Sequence, residues 1–339
     1  YTTGSTPQEV EAQVDSFTTT SCLSMDKVTC DLNGNVIELR LSGRGLSGPL
    51  PASISRLTNI KILSLSYNQL TGNLPGTIWA STQLESLTLT KNRFTGAIPC
   101  PDATESRLHT LSLSRNDFTG DFPTCLFSTL PRLQALYMDY LNLNNAFIPP
   151  EFANVGHTFV NLFVQHSGIT GPLPMELSCM KHIVYMHLGG NQITSIPQYA
   201  LERMTSLYSL DLSYNKLTGV VPHFKNNTAL RAIYLQHNKL TGSFGDQLEE
   251  FATMQAAGAY SAVHVGNNDF SGPLPPVLYK LKTNAHSITT LDVADNHFRC
   301  EDHNMMMQGG GGMRSMKMAC SFPYWAKRLG VTSSFGECM

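Results

Sequence analysis

Apolar residues recur along most of the chain in the pattern L-x-x-L-x-L-x-x-N-x-L-T-G-x-L-P. The second copy runs from Ile60 to Pro75, with Leu63, Leu65 and Asn68 at defining positions. The residue that closes L-x-L recurs in steps of 23 to 26 residues, and the last two steps are 30 and 28. A repeat of this period, counted to eleven copies, predicts a stack of structurally equivalent turns.

Each L-x-x-L-x-L segment predicts a short strand whose apolar side chains point inward and whose x residues point outward. One strand per turn then builds a parallel sheet along one side of the stack. Asparagine at the following bend can both donate to and accept from backbone groups that the bend leaves free. Eight repeats carry it: Asn68, Asn92, Asn116, Asn191, Asn215, Asn238, Asn268 and Asn296; the other three have Arg44, Leu141 and Ser167. The L-T-G-x-L-P segment predicts a second extended stretch, which proline ends.

This pattern resembles the plant-type leucine-rich repeat family, as in receptor-kinase ectodomains and polygalacturonase inhibitors; similar repeats occur in surface antigens of some protists. The segment 22–30, followed by Gly34 and Val36, is similar to that family's N-terminal cap, although Met25 replaces its tryptophan and Lys27 its glycine. The resemblance implies an α/β solenoid: a right-handed superhelix of about eleven repeats with the parallel sheet on its concave face and disulfide caps. It also implies a binding role and no catalytic residues.

The repeats divide the chain into an N-terminal cap over 1–35, an array over 36–299 and a C-terminal cap over 300–339. In the longer ninth and tenth steps we predict short helices at 246–262 and 278–287. These insertions are either solvated decoration or part of a partner surface.

The eight cysteines favour an oxidising compartment. We predict a local disulfide between Cys22 and Cys30. Cys100 and Cys125 lie one repeat apart, so adjacent turns bring them close, and we predict a bond there rather than two buried thiols. Cys179 is predicted to be free, while the C-terminal cysteines allow three pairings and leave one over: Cys300, Cys320 and Cys338.

Charge and composition narrow the function. Charged residues make up 14% of the chain, against about 25% in average globular proteins. The formal net charge of −2 gives no basic field for nucleic acid, and no apolar run is long enough to span a membrane. The start at Tyr1 suggests a removed leader or a trimmed end, and Asn226-Asn227-Thr228 is a sequon for glycosylation at Asn226. We therefore expect a secreted or cell-surface protein.

The outward x residues change character along the array. Small hydroxyl residues occupy repeats two to four, whereas aromatic, histidine and aspartate residues dominate from repeat five onward. We predict a partner site there: Tyr137, Tyr140, Phe163, His166, Tyr185, His187, Asp211, Tyr214, Tyr234, His237, His264 and Asp292. Exposed aromatic residues in a contiguous patch are typical of an interface, although an ordinary polar-aromatic concave face is the alternative.

Further hypotheses concern the chemistry of this face. Histidines titrate near neutrality, so binding could depend on pH. Strand spacing spreads the histidines along a ladder, so we expect no metal and no cofactor. The Ser and Thr patch of repeats two to four could meet a glycan or ice, or could be an idle strand face. No catalytic motif such as G-x-S-x-G, H-E-x-x-H or a P-loop is present in the sequence.

We therefore expect a non-catalytic recognition module that binds a protein, peptide or glycan on its concave face. One alternative is a building block of a cell wall, surface coat or extracellular filament, with possible self-association. Another is an inhibitor of a secreted wall-degrading hydrolase.

Overall fold

The structure, a computed structural model of the 339-residue chain, describes residues 27–101, 106–144, 146–247, 261–273, 288–299 and 315–317. Within these ranges one long sheet contains thirteen strands. They are β1 Val28–Cys30, β2 Val36–Arg40, β4 Ile62–Ser64, β6 Ser86–Thr88, β8 Thr110–Ser112, β10 Ala135–Tyr137, β12 Asn161–Phe163, β14 Tyr185–His187, β16 Ser209–Asp211, β18 Ala232–Tyr234, β20 Ser261–His264, β22 Ile288–Asp292 and β24 Ser315–Lys317. The solvent-facing side of this sheet is the concave face.

Eleven of these strands, β2 to β22, are the eleven predicted repeat strands, and each pairs in parallel with the next. The antiparallel strand β1 precedes them, and β24 continues the sheet beyond the predicted array by pairing in parallel with β22. The prediction of a parallel repeat sheet is therefore confirmed.

Shorter parallel sheets follow the bends, as the L-T-G-x-L-P segments predict. Within the described part of the chain they contain five, two and four strands. The five are β3 Ser47–Pro49, β5 Gln69–Asn73, β7 Arg93–Gly96, β9 Asp117–Gly120 and β11 Asn142–Leu143; the two are β13 Thr170–Pro172 and β15 Gln192–Ser195; the four are β17 Thr218–Gly219, β19 Lys239–Gly242, β21 Asp269–Pro273 and β23 His297–Arg299.

Short helical turns complete several repeats. An α-helix, α1, spans Cys125–Thr129, and 3₁₀-helices span Ala52–Arg56, Gly76–Ala80, Pro150–Val155 and Met175–Cys179. Residues 245–247 are helical at the start of the predicted segment 246–262. Residues 261 and 262, predicted as the end of that helix, instead begin strand β20. Residues 248–260 and 278–287 lie outside the described residues.

The inward leucines form one continuous core between the two layers of strands. Leu87, Leu111 and Leu136 on successive strands are fully buried, and each such side chain contributes about 2 kcal/mol through burial. The repeat before β12 has a step of 26 residues, and its core contains larger side chains than leucine. Phe127 and Phe152 pack there with ring centroids 4.0 Å apart. The array thus accommodates a longer repeat by filling it with aromatic rings.

The bend asparagines behave as their amide chemistry predicts. The Asn68 side chain accepts from the backbone N–H of Arg44 and Leu46 and donates to the carbonyl oxygens of Leu41 and Leu65. Where Ser167 replaces asparagine, its hydroxyl donates to the Met138 carbonyl and accepts from the Leu141 N–H, at 2.6 and 3.2 Å. Serine therefore supplies part of the same link between turns.

Disulfide bonds join neighbouring parts of the array. Cys100 and Cys125 are bonded, with Cα atoms 5.8 Å apart, as the one-repeat spacing predicts. Cys30 is also disulfide-bonded; its predicted partner Cys22 lies outside the described residues, as do Cys300, Cys320 and Cys338. Cys179 is a free, exposed thiol, in agreement with the prediction.

Candidate functional site on the concave face

The central outward residue of each strand lies directly beside its equivalent in the next strand. Strand pairing places Tyr137 between Ser112 and Phe163, and Asp211 between His187 and Tyr234. Among the strands whose side chains the structure describes, the column is Arg40, Ser64, Thr88, Ser112, Tyr137, Phe163, His187, Asp211, Tyr234, His264 and Asp292. The change from small hydroxyl groups to aromatic and charged groups therefore occurs at β10.

Four aromatic rings form a diagonal row across repeats five to eight, which we call the aromatic row. Its ring centroids are 5.2 Å apart from Tyr137 to Phe163, 6.2 Å from Phe163 to Tyr185 and 5.8 Å from Tyr185 to Tyr208. Tyr137 and Phe163 are half-buried, whereas Tyr185 and Tyr208 are 37% and 43% exposed. The row thus offers solvent an apolar surface fixed by ring–ring contacts, each worth about 1 kcal/mol.

A second group of rings lies at the bends, one residue before the bend asparagine or its substitute. Tyr140 stacks on His166 at 4.8 Å, and Tyr214 stacks on His237 at 4.2 Å. All four residues have positive φ, between 49° and 57°, so the backbone turns their side chains toward the edge of the concave face. Gly190 occupies the equivalent bend position before Asn191. It carries no side chain there, because the His166 ring occupies the space that a Cβ would need.

A polar centre lies beside the aromatic row and consists of Asp139, Gln165, His187 and Asp211. The Gln165 backbone N–H donates to Asp139 Oδ1 at 2.8 Å, and its Nε2 donates to Asp211 Oδ2 at 2.8 Å. His187 Nε2 lies 2.9 Å from Ser209 Oγ, and its ring centroid is 4.6 Å from that of Phe163. Gln165 therefore links two carboxylates on either side of the histidine.

Burial shifts the proton equilibria of this centre. It raises the pKa of the Asp139 carboxyl above the usual 3.8, in spite of hydrogen bonds from Gln165 and Ser114 and the charges of His187 and Arg115. Burial also lowers the pKa of His187 below 6.5, although Asp211 and Asp139 oppose the shift. Desolvation disfavours the charged form of both groups, so His187 is neutral at pH 7 and adds no positive charge to the centre.

The tyrosines at both ends of the centre are partly desolvated. Burial raises the pKa of Tyr137 and of Tyr234 above 10.0, and the charge of Asp139 or Asp211 acts in the same direction. Both phenols therefore remain neutral at physiological pH and keep a hydroxyl that can donate to a ligand.

The upstream half of the concave face is occupied by hydroxyl groups that bond to each other. Ser64 Oγ lies 2.8 Å from Ser42 Oγ and accepts from Thr88 Oγ1 at 2.9 Å. Thr90 Oγ1 makes a similar bond to Ser112 Oγ. These mutual bonds favour the hypothesis that this patch is an idle strand face.

The predicted site residues form several separate groups of contacts, and two of these are the stacked pairs Tyr140–His166 and Tyr214–His237. Tyr137, Phe163, Tyr185 and His187 form one cluster, and Tyr234 packs on His264 at 5.2 Å. Asp292 lies in register beside His264 and accepts from the Ala294 N–H at 3.2 Å.

Sequence reasoning did not single out Asp139, Gln165, Tyr208 or Arg115. Asp139 and Gln165 follow the residue that closes L-x-L, in the same column as Ser114 and Gln236, so this column carries the missed signal. Tyr208 directly precedes β16. The Arg115 guanidinium lies over the Tyr140 ring, 4.2 Å from its centroid.

Three further features bear on the function of the chain. Among the described residues, no set of three histidine, cysteine, aspartate or glutamate side chains converges in a way that could hold a metal ion. In the same part of the chain no helix has the length and apolar character needed to cross a membrane. Asn226 of the sequon is exposed in a turn, whereas Asn227 is fully buried.

Comparison with known proteins places these features in context. Two family models, both described as leucine rich repeat, match residues 181–243 and residues 59–80 and 107–129. The solved ectodomain of the Arabidopsis thaliana membrane receptor kinase GASSHO1/SCHENGEN3, in complex with CASPARIAN STRIP INTEGRITY FACTOR 2, superposes with a TM-score of 0.72 at 28% identity. The match covers 82% of this chain and 32% of the receptor chain.

Curated relatives match shorter stretches. Lumican from Gallus gallus is 30% identical over 134 residues, which are 38% of this chain and 36% of lumican. Receptor-like protein 18 from Arabidopsis thaliana is 29% identical over 182 residues, 53% of this chain and 18% of that protein. The chain thus spans about a third or less of the length of these two relatives. Its repeats, its strand register and these matches identify the chain as a leucine-rich repeat solenoid that resembles plant receptor-kinase ectodomains.

Proposed function

We propose that the chain is a non-catalytic, extracellular recognition module that binds an extended peptide or protein segment across the concave face of repeats five to nine. The observation that carries this proposal is the aromatic row with the polar centre beside it. Exposed tyrosines that are already held in place lose little conformational entropy on binding. Their rings therefore supply contact area while the polar centre orients the ligand.

The dimensions of the site favour an extended ligand. The aromatic row crosses four strands, which at about 4.8 Å per strand spans roughly 14 Å. An extended peptide rises about 3.3 Å per residue, so four or five residues cover the row. The face is an open sheet surface, which suits a ligand that lies across the strands.

An extracellular location is supported by the cysteine chemistry and by the relatives. The Cys100–Cys125 bond requires an oxidising compartment, and the exposed Asn226 suits a glycosylation acceptor. The matched receptor kinase was solved as an ectodomain.

The test is a pull-down from the native source at neutral pH with three baits. The first is the wild-type chain, and the second carries Tyr185→Ala, Tyr214→Ala and Tyr234→Ala. The third is a control with Tyr199→Ala and Phe147→Ala, which removes two exposed rings of 59% and 55% exposure outside the site. We expect one partner that the wild type and the control retain and that the triple variant loses.

Two outcomes would contradict the proposal. A partner that all three baits retain would move the binding surface away from the concave face. Capture of further copies of the same chain alone would favour a structural role in a coat or filament.

A further inference from the structure

The carboxylates of the polar centre form no direct ion pair. Among the described residues, no basic nitrogen lies within 4.0 Å of a carboxylate oxygen of Asp139 or Asp211, in contrast to Glu38, which pairs with Arg40. Both aspartates are half-buried and remain partly open to solvent, Asp139 two residues after Tyr137 and Asp211 three residues after Tyr208 of the aromatic row. The polar centre therefore presents net negative charge toward a ligand.

Neutral donors hold these carboxylates in fixed positions. Asp139 accepts from the Gln165 N–H at 2.8 Å and from Ser114 Oγ at 3.3 Å. Asp211 accepts from Gln165 Nε2 at 2.8 Å and from the N–H and Oγ of Ser213 at 3.0 and 2.7 Å. These bonds orient the oxygens without cancelling their charge, and a preorganised acceptor requires little rearrangement when a donor arrives.

Two upstream cations lie over tyrosine rings and make no ion pair with the aspartates. The Arg115 guanidinium lies over the Tyr140 ring, and Lys91 Nζ lies 4.6 Å from the centroid of the Tyr67 ring. His187 is the remaining titratable group between the two aspartates, and its burial favours the neutral imidazole. No ion pair within the described residues thus neutralises these carboxylates directly, and Arg115 acts on Asp139 only through its longer-range charge.

A further acceptor lies on the same side of the sheet. Gln236 occupies the column of Asp139 and Gln165, and its Oε1 is buried without a hydrogen-bond partner in the part of the chain that the structure describes. A buried acceptor without a partner is unfavourable because it has given up its hydrogen bonds to water. This oxygen is covered in the free chain, so the acceptors directly open to a ligand's donors are the half-buried carboxylates of Asp139 and Asp211.

We propose that the occupant is an extended peptide that is basic where it crosses repeats five to eight, so that its lysine or arginine side chains bind Asp139 and Asp211. This proposal rests on the proposed function and specifies its ligand. Charge-assisted bonds from an ammonium or guanidinium group to a carboxylate are about twice as strong as neutral ones. The aliphatic stems would pack on the aromatic row, which also favours cations over its ring faces.

The experiment selects ligands without assuming their sequence. The full chain, Asp139→Asn/Asp211→Asn and Asp121→Asn are each used to select from a phage library of linear dodecapeptides. Asp121 is exposed after β9 and serves as the matched charge control. We expect lysine and arginine to be enriched at least twofold over the input library by the wild type and the control, and the enrichment to vanish with the double variant.

A change in the ligand then tests the contact without altering the protein. The best wild-type peptide is synthesised again with each arginine replaced by citrulline and each lysine by acetyl-lysine, which removes the charge. Calorimetry should show at least tenfold weaker binding to the wild type and less than a twofold change with the double variant. Unequal losses with Asp139→Asn and Asp211→Asn singly would show which carboxylate takes the stronger contact.

The possible failures are distinguishable. Peptides that are enriched without basic residues, and that the Tyr185/Tyr214/Tyr234 variant no longer binds, would overturn the basic-ligand proposal and leave the proposed function standing. No enrichment by the wild type, or peptides that the tyrosine variant still binds, would overturn both. A tenfold loss from citrulline that persists in the double variant would assign the cation contact to other residues and overturn the proposal.

Discussion

Single buried asparagines join consecutive turns of this solenoid. Asn116 accepts from the Phe94 N–H and donates to the carbonyl oxygens of Leu89 and Leu113, all within 3.1 Å, and it is 5% exposed. We expect Asn116→Ala to lower the free energy of unfolding by about 3 kcal/mol, because several buried backbone groups lose their partner. Denaturant unfolding would measure this loss.

The matched control for this prediction is Asn142→Ala. The Asn142 side chain is exposed on β11 in a neighbouring repeat, so we expect a change within about 0.5 kcal/mol. Equal effects of the two substitutions would contradict the role assigned to the bend asparagine.

At the same scale, the shifted pKa values predict how binding of the basic peptide depends on pH. Protonation of Asp139 removes a negative charge, and protonation of His187 adds a positive one, so both weaken the attraction as pH falls. The pKa of Asp139 lies above 3.8 and that of His187 below 6.5. We expect calorimetric affinity to be constant from pH 8 to about 6.5 and to fall as the pH drops toward 4.

Burial sets the direction of both pKa shifts. The charge of Arg115 partly offsets the rise in the pKa of Asp139, and the charge of Asp211 partly offsets the fall in that of His187. Asp139→Asn should therefore leave a shallower decline with pH, carried by His187. An affinity that stays flat across the whole range would show that neither group touches the ligand.

At the scale of the element, the sequence predicts the strands of the repeats, but it predicts the contacts between their side chains only in part. Strand alternation and the 24-residue step fix which residues share a column, and the observed pairing of Tyr137 with Phe163 follows directly. The bridge from Gln165 to Asp211 depends on a long side chain that crosses an intervening strand, and the periodic pattern carries no information on rotamers. Tyr208 joins the aromatic row from just outside its strand, where strand alternation does not apply.

The Cys100–Cys125 bond connects the segment that follows Pro99 to the first residue of helix α1 in the next repeat. We expect Cys100→Ser/Cys125→Ser to lower the free energy of unfolding by about 3 kcal/mol. The reason is that the bond joins residues 25 positions apart and so closes a loop in the unfolded chain. Thermal or denaturant unfolding without reductant would measure the change. Cys179→Ser removes an exposed, free thiol and should be nearly neutral; a loss from Cys179→Ser as large as that from the double substitution would contradict this assignment.

At the scale of the whole molecule, the core separates the concave face from the segments that carry the sequon. Asn226 is exposed in the turn before β18, whereas the adjacent Asn227 is fully buried and donates to the carbonyl oxygens of Leu201 and Met204 at 2.9 Å. Glycosylation at Asn226 would therefore place its sugars outside the sheet surface that we propose for binding. Recognition and glycosylation should be independent of each other.

Because of this independence, substitutions of the two neighbouring asparagines should have different effects, one on glycosylation and the other on stability. In a glycosylating host, Asn226→Gln should remove one glycan by mass spectrometry and leave affinity for the selected peptide within twofold. Asn227→Ala retains Asn226 and Thr228, and therefore the sequon, but it removes two buried donor bonds and should cost about 2 kcal/mol of stability. If Asn226→Gln abolished binding while the chain stayed folded, the ligand would contact the outer segments, and the assignment of recognition to the concave face would be wrong.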